Sequence, residues 1–149
     1  MSVENKSEVV STESLIVRDG KEEDKPFIFS SWLPSLYYGD SWFSHIPKDI
    51  FMKNYHDILE QILTRAIIKV ACLKSDPDII VGYAIFSFAQ PASRCLEWTY
   101  VKAAWRGIGV AKMLVPASEI NTVTHLNRVG VSILYNHPNI VFNPFISRS

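Results

Sequence analysis

The stretch best equipped for chemistry is Arg106-Gly107-Ile108-Gly109-Val110-Ala111, small residues placed where a strand pattern gives way to a helix pattern. Before it, Leu96 to Val101 reads as an aromatic and β-branched strand; after it, Val110, Met113, Leu114 and Ala117 fall at helical spacing. Glycine at such a junction permits close backbone approach to a ligand and dihedrals that a side chain forbids. The first turn of the following helix carries amide N–H groups without helical partners, and the helix dipole adds positive potential. Together these features make a phosphate cradle. Lys102 and Arg106 stand beside it, either as phosphate-facing cations or as solvent-facing ones.

Two familiar phosphate patterns do not fit. A Walker loop needs Lys-Ser/Thr after its last glycine, and Gly109 is followed by Val110-Ala111. A dinucleotide fingerprint needs a third glycine where this chain has Lys112. The pattern present is R-x-x-G-x-A, carried by Arg106, Gly109 and Ala111. By itself it also describes a tight strand-to-helix turn that binds nothing.

The surrounding elements must position this loop. Residues 1–14 are polar and aperiodic and read as a mobile arm, leaving 15–149 as one domain. Leu15 to Arg18 is a first strand, and Glu22, Glu23 and Asp24 precede a helix over about Lys25 to Leu33, where Pro34 predicts a kink or break. Tyr37 to Pro47 is an aromatic-rich connection, either folded onto the core or forming a pocket wall. Asp49 to Arg65 is an amphipathic helix whose stripe is Phe51, Tyr55, Ile58, Leu59, Ile62 and Leu63, with His56 at its boundary. Ile67–Leu73, Ile79–Phe88 and Cys95–Val101 then form an antiparallel meander with turns at Lys74–Asp78 and Gln90–Arg94. The cradle helix follows, over Gly109 to about Glu119, and Pro116 should bend or shorten it. Thr122 to His125 predicts a fifth strand parallel to the fourth, Asn127 to Tyr135 a last helix weakened by Gly130, and Ile140 to Phe142 a final strand.

Composition excludes several function classes. Lys plus Arg and Asp plus Glu number 15 each, which gives no electrostatic footprint for nucleic acid or an anionic membrane. No apolar run approaches the ~18 residues that span a bilayer, and no signal-peptide core appears, so a cytoplasmic protein is expected. Cys72 and Cys95 make neither metal spacing nor a disulfide framework; small buried strand residues is their reading, and no metal is expected.

The Tyr-Val strand end, Trp105-Arg106-Gly107 and the R-x-x-G-x-A loop together resemble the acyl-CoA-binding motif of the GNAT N-acetyltransferase superfamily, [Q/R]-x-x-G-x-[G/A] after the fourth strand. Val81-Gly82-Tyr83-Ala84 in the third strand, and a first strand followed by an acidic residue and a helix, extend the likeness. The resemblance implies an α/β (α+β) single domain with a mixed, mostly antiparallel sheet and helices on both faces. It implies acetyl-CoA as co-substrate, the amides of Arg106, Gly107, Ile108, Gly109, Val110 and Ala111 on the pyrophosphate, and backbone of Tyr100 and Val101 on the pantetheine arm. It also implies a general base on the fourth strand, where Glu97 stands with the parity of Thr99 and Val101, or at the end of the fifth, where His125 stands with a pKa suited to proton transfer. Alternatives remain open for both: an exposed strand glutamate and a histidine at a strand end.

The family's last helix often carries N-x-x-A-x-x-L-Y, which Asn127, Gly130 and Tyr135 approximate out of register, since Leu134 falls at the tyrosine position. On that likeness Asn127 joins the cofactor side and Tyr135 is the candidate acid. The expected activity is acetyl transfer to a primary amine of a small molecule or peptide, by direct attack in a ternary complex, with a homodimer allowed. The alternative is an acyl-CoA-binding or structural protein without turnover.

Overall fold

The computed structural model describes residues 10–89, 93–146 and 148. Of the expected arm, residues 1–9 lie outside the described residues, while Thr12–Ser14 form a 3-10 turn that leads into the first strand. The expected turn at Gln90–Arg94 falls partly on residues 90–92, also outside them.

The strands are β1 (Leu15–Asp19), β2 (Ile67–Leu73), β3 (Ile80–Ala89), β4 (Ser93–Val101), β5 (Thr122–Val123) and β6 (Val141–Phe142). They form a six-stranded sheet in sequence order. β1 to β4 pair antiparallel, whereas β4 with β5 and β5 with β6 pair parallel. A parallel step needs a crossover longer than a hairpin, and the cradle segment supplies it between β4 and β5.

Alternation along these strands loads both faces. Val70, Cys72, Tyr83, Ile85 and Trp98 point toward α1 (Lys25–Gly39) and α2 (Lys48–Arg65), where they meet Ile28, Trp32, Leu36, Phe51, Leu59 and Ile62. Ala71, Val81, Ala84, Phe86, Leu96 and Val101 point the other way, onto Val110 and Leu114 of α3 (Val110–Leu114), with Ile133 and Leu134 of α4 (Arg128–Asn136) packed beside them. Each large apolar side chain buried in these layers contributes about 1.5–3 kcal/mol. The fold is the expected one: a mixed, mostly antiparallel sheet with helices on both faces.

Two proline expectations have different outcomes. α1 runs through Pro34 to Gly39 instead of stopping near Leu33. Leu33, Leu36 and Tyr37 are buried on both sides of the proline, so tertiary packing holds the helix across a locally unfavourable residue. α3, by contrast, ends at Leu114, and a 3-10 turn at Ala117–Glu119 follows Pro116. The aromatic connection after α1 folds onto α2: Phe43 packs against Phe51 and Tyr55, and the Tyr37 hydroxyl donates to the Ile46 carbonyl at 2.7 Å.

Candidate functional site

β4 and β5 pair only at Cys95–Thr122 and Leu96–Val123, and beyond that point they part. Lys102 N–H donates to Val81 carbonyl, which fixes the phase of the β3–β4 ladder: Tyr100 and Trp98 exchange hydrogen bonds with β3, while Thr99 and Val101 face the other way. Their backbone groups therefore line the gap. Both carbonyls there have partners, since Asn127 Nδ2 donates to Thr99 O at 2.8 Å and Arg106 Nε donates to Val101 O at 2.7 Å. The N–H groups of Thr99 and Val101 are left pointing into the opening. Thr99 Oγ1 is buried and has no hydrogen-bond partner among the described residues.

The gap leads to the glycine loop. Gly107 and Gly109 have φ of +82° and +101°, the left-handed region that favours glycine. A Cβ on Gly107 would meet nothing within 4 Å, and one on Gly109 would meet only Thr12 Cγ2 at 4.0 Å, so the loop faces open space. The first three amides of α3, Val110 to Lys112, can have no intrahelical partner.

At the closed end of the gap lies a polar cluster built around a bulge. Phe86 opposes Leu96 but Ile85 opposes Trp98, so Glu97 is the extra residue in β4. The bulge turns Glu97 onto the face of Ser87 and Trp98, out of the parity with Thr99 and Val101 that unbroken alternation predicts. Its carboxylate is fully buried. It accepts from Ser87 Oγ and Thr124 Oγ1, each at 2.6 Å, and from Arg148 through Nε and through Nη2, the latter at 2.8 Å. Burial pushes this carboxyl up, but the hydrogen bonds from Arg148, Ser87 and Thr124 outweigh it and hold the group below the usual carboxylate range.

The chain of donors continues past Thr124. Its hydroxyl has one proton, directed at Glu97, so His125 Nδ1–H donates to Thr124 Oγ1 at 2.9 Å. That tautomer leaves Nε2 as an acceptor, and the Tyr55 hydroxyl donates to it at 2.8 Å. Burial lowers the His125 pKa to about 4, against the opposing pull of Glu97, and raises that of Tyr55 to about 12. The imidazole is neutral, and Trp32 and Trp98, stacked on one another, turn their edges to it.

Solved structures share this arrangement of elements. A GNAT-family acetyltransferase from Staphylococcus aureus Mu50 superposes with a TM-score of 0.54 at 13% identity, over 84% of this chain and 82% of that one. A candidate acetyl transferase from Pyrococcus furiosus gives 0.54 at 13%, over 87% and 80%. The chain has the GNAT fold. A histone acetyltransferase HPA2 and related acetyltransferase from Corynebacterium glutamicum gives 0.50 at 20% identity, over 67% of each chain. No protein-family model matches the sequence, and no curated protein matches it.

Within this GNAT fold, Glu97 and His125 come together through Thr124, 3.6 Å apart at their nearest atoms. Glu97 is neither exposed nor open; it is half of a buried ion pair. Tyr135 stands apart, 86% exposed on α4. Asn127 serves two backbone partners, capping α4 by accepting from Gly130 N–H at 2.9 Å and holding Thr99 O. Tyr100 packs between Tyr83 and Phe27 while Arg106 lies over its ring. Sequence reasoning missed four members of the polar cluster: Tyr55, Ser87, Thr124 and Arg148. Tyr55 lay in an apolar helical stripe, and Arg148 is 51 positions from its partner, so no local pattern signals either.

Proposed function

We propose that the protein is an acyltransferase that moves an acetyl group from acetyl-CoA to a primary amine of a small molecule or peptide, by direct attack in a ternary complex. The observation that carries this reading is the opening between β4 and β5. It presents the N–H groups of Thr99 and Val101 in line with a loop whose two glycines adopt positive φ beside open space. Such a slot suits a ligand with amides at one end and a pyrophosphate at the other. Acetyl-CoA, when bound, supplies an acetyl thioester as electrophile. Thr99 and Val101 would hold its pantetheine arm, and the amides from Arg106 to Ala111 its pyrophosphate, with Arg106 and Lys102 adding charge.

For the amine, the protein offers Glu97 and neutral His125. Glu97 reaches a proton only where Arg148, Ser87 or Thr124 yields a hydrogen bond, whereas His125 reaches one where Tyr55 yields Nε2. A proton on Glu97 would remove the negative partner of Arg148, whereas a proton on His125 would place a cation 3.6 Å from Glu97.

A second reading, acyl-CoA binding without turnover, is favoured by one observation: every lone-pair direction of the Glu97 carboxylate that the geometry displays already faces a donor. Two measurements separate the readings. Thermal unfolding with acetyl-CoA tests binding; at 100 times Kd the ligand adds about 2.7 kcal/mol, and no shift removes both readings. Amine-dependent release of CoA thiol then tests turnover, and its absence across amines, peptides and nucleosides leaves the binder.

A further inference from the structure

Beside Glu97 a cleft of about 450 Å³ lies between α2 and the sheet. Its size is in the range that holds a small organic ligand. Ile58 and Ile62 give it an apolar side, Gln61 and Thr64 a polar rim, and Ser87, Arg148 and Arg65 line the rest. The charged residues in this lining are both arginines, and no acid is among them.

The two guanidiniums are unevenly used. Arg148 directs two of its five N–H groups at Glu97, and the other three meet no protein acceptor among the described residues. Arg65 has no carboxylate within ion-pairing distance among the described residues. Glu97 neutralises Arg148 from behind, so the cleft presents the excess positive charge of Arg65 together with the unused face of Arg148. Planar, fixed N–H donors of this type match a carboxylate. An isoleucine side at Ile58, which is 42% exposed, leaves apolar surface for a short carbon chain to cover.

We propose that this cleft binds a carboxylate carried on a short apolar chain, with the anion between Arg65 and Arg148 and the chain against Ile58 and Ile62. Resting on the acyltransferase reading, this makes the preferred acceptor an amine that also bears a carboxylate.

Calorimetric titration of the full chain with butanoate, 4-aminobutanoate and butylamine tests the site. Saturable binding of the two carboxylates, with butylamine at least about tenfold weaker, is the expected result, since hydrogen bonds to charged groups carry that much. Arg65→Gln should weaken both carboxylates about tenfold, and Ile58→Glu, which places a like charge at a partly exposed position, should do the same without touching the fold. Arg148→Met should abolish binding, with circular dichroism as the check on folding; where it unfolds, the Arg65 and Ile58 variants decide. Equal affinity for all three probes, or unchanged affinity in Arg65→Gln, overturns the proposal. Acetyl-CoA is titrated separately: if it fails to bind while the carboxylates bind, the acyltransferase reading falls and the cleft stands, and the reverse pattern removes the cleft alone.

Discussion

The carboxylate of Glu97 and the guanidinium of Arg148, 51 positions apart in sequence, meet as a two-point ion pair with one partner fully buried in the sheet. Glu97 sits on a bulge that points it at the α2 face, and Arg148 arrives there from beyond β6. Arg148→Met leaves a charge in the interior with two hydroxyl donors only. It should lower unfolding free energy at pH 7 by about 3 kcal/mol, the lower end for a broken buried pair because the Arg148 side chain is 30% exposed. Because the folded pKa of Glu97 is depressed, the pair's contribution is full above the ordinary glutamate value of 4.5 and is lost as pH falls through the folded value. Urea denaturation of wild type, Arg148→Met and the double variant Glu97→Gln/Arg148→Met checks this, the double variant recovering part of the loss. Equal stability of wild type and Arg148→Met would show that the pair contributes nothing.

His125 gives a second, separable pH dependence. Its pKa is lowered by burial from 6.5 to about 4, so the unfolded chain takes the proton first as pH falls. Stability is therefore unaffected by this group above pH 6.5, declines between 6.5 and 4, and stops changing on its account below about 4. The full loss is on the order of 3 kcal/mol. Melts recorded across that window should show the slope in wild type and a flatter profile in His125→Gln. Nitrogen-15 spectra of the imidazole should report the Nδ1–H tautomer, and a dominant Nε2–H signal would contradict the hydrogen-bond order from Tyr55 to Glu97.

Gly109 separates backbone strain from ligand binding. At φ +101° and with open space at the Cβ position, Gly109→Ala should cost about 1–2 kcal/mol of stability through strain alone. Gly109→Glu adds bulk and negative charge at the loop, and should abolish acetyl-CoA binding while circular dichroism remains that of a folded protein. Calorimetry of both variants is the check. Acetyl-CoA affinity in Gly109→Glu equal to that of the parent would remove the loop from the binding site.

Two further glycines are set by close approach. A Cβ on Gly82 would stand 2.7 Å from Tyr100 O and 3.3 Å from Val101 Cα, pushing β4 at the edge of the opening. A Cβ on Gly130 would stand 2.9 Å from His125 O. Gly130→Ala improves helix propensity by up to about 1 kcal/mol, yet the clash should reverse the sign and leave the protein about 1–2 kcal/mol less stable. Gly82→Ala should be destabilising by about 2 kcal/mol and should weaken acetyl-CoA binding as well. Thermal melts with and without acetyl-CoA compare the two, because Gly82 adjoins β4 at the opening directly, whereas Gly130 reaches it only through Asn127, which holds Thr99 O.

Local chemistry made much of this protein legible from its residues in order. Alternation in β2 to β4, the stripe of α2 and the glycines at 107 and 109 are short-range signals, because periodicity and positive φ are properties of neighbouring residues. Pro116 stopped α3 where its missing N–H and ring dictate, whereas Pro34 did not stop α1, because buried Leu33, Leu36 and Tyr37 outweigh a local defect. The polar centre could not be read in this way. A single bulge moved Glu97 to the other face, and parity counted from sequence has no knowledge of an inserted residue. Its partners Ser87, Thr124, His125, Tyr55 and Arg148 come from four other segments, and only packing of those segments against one sheet decides that they meet. Whether a carboxylate is an open base or half of a buried pair depends on desolvation and on donors brought from afar, and both exist only in the folded chain.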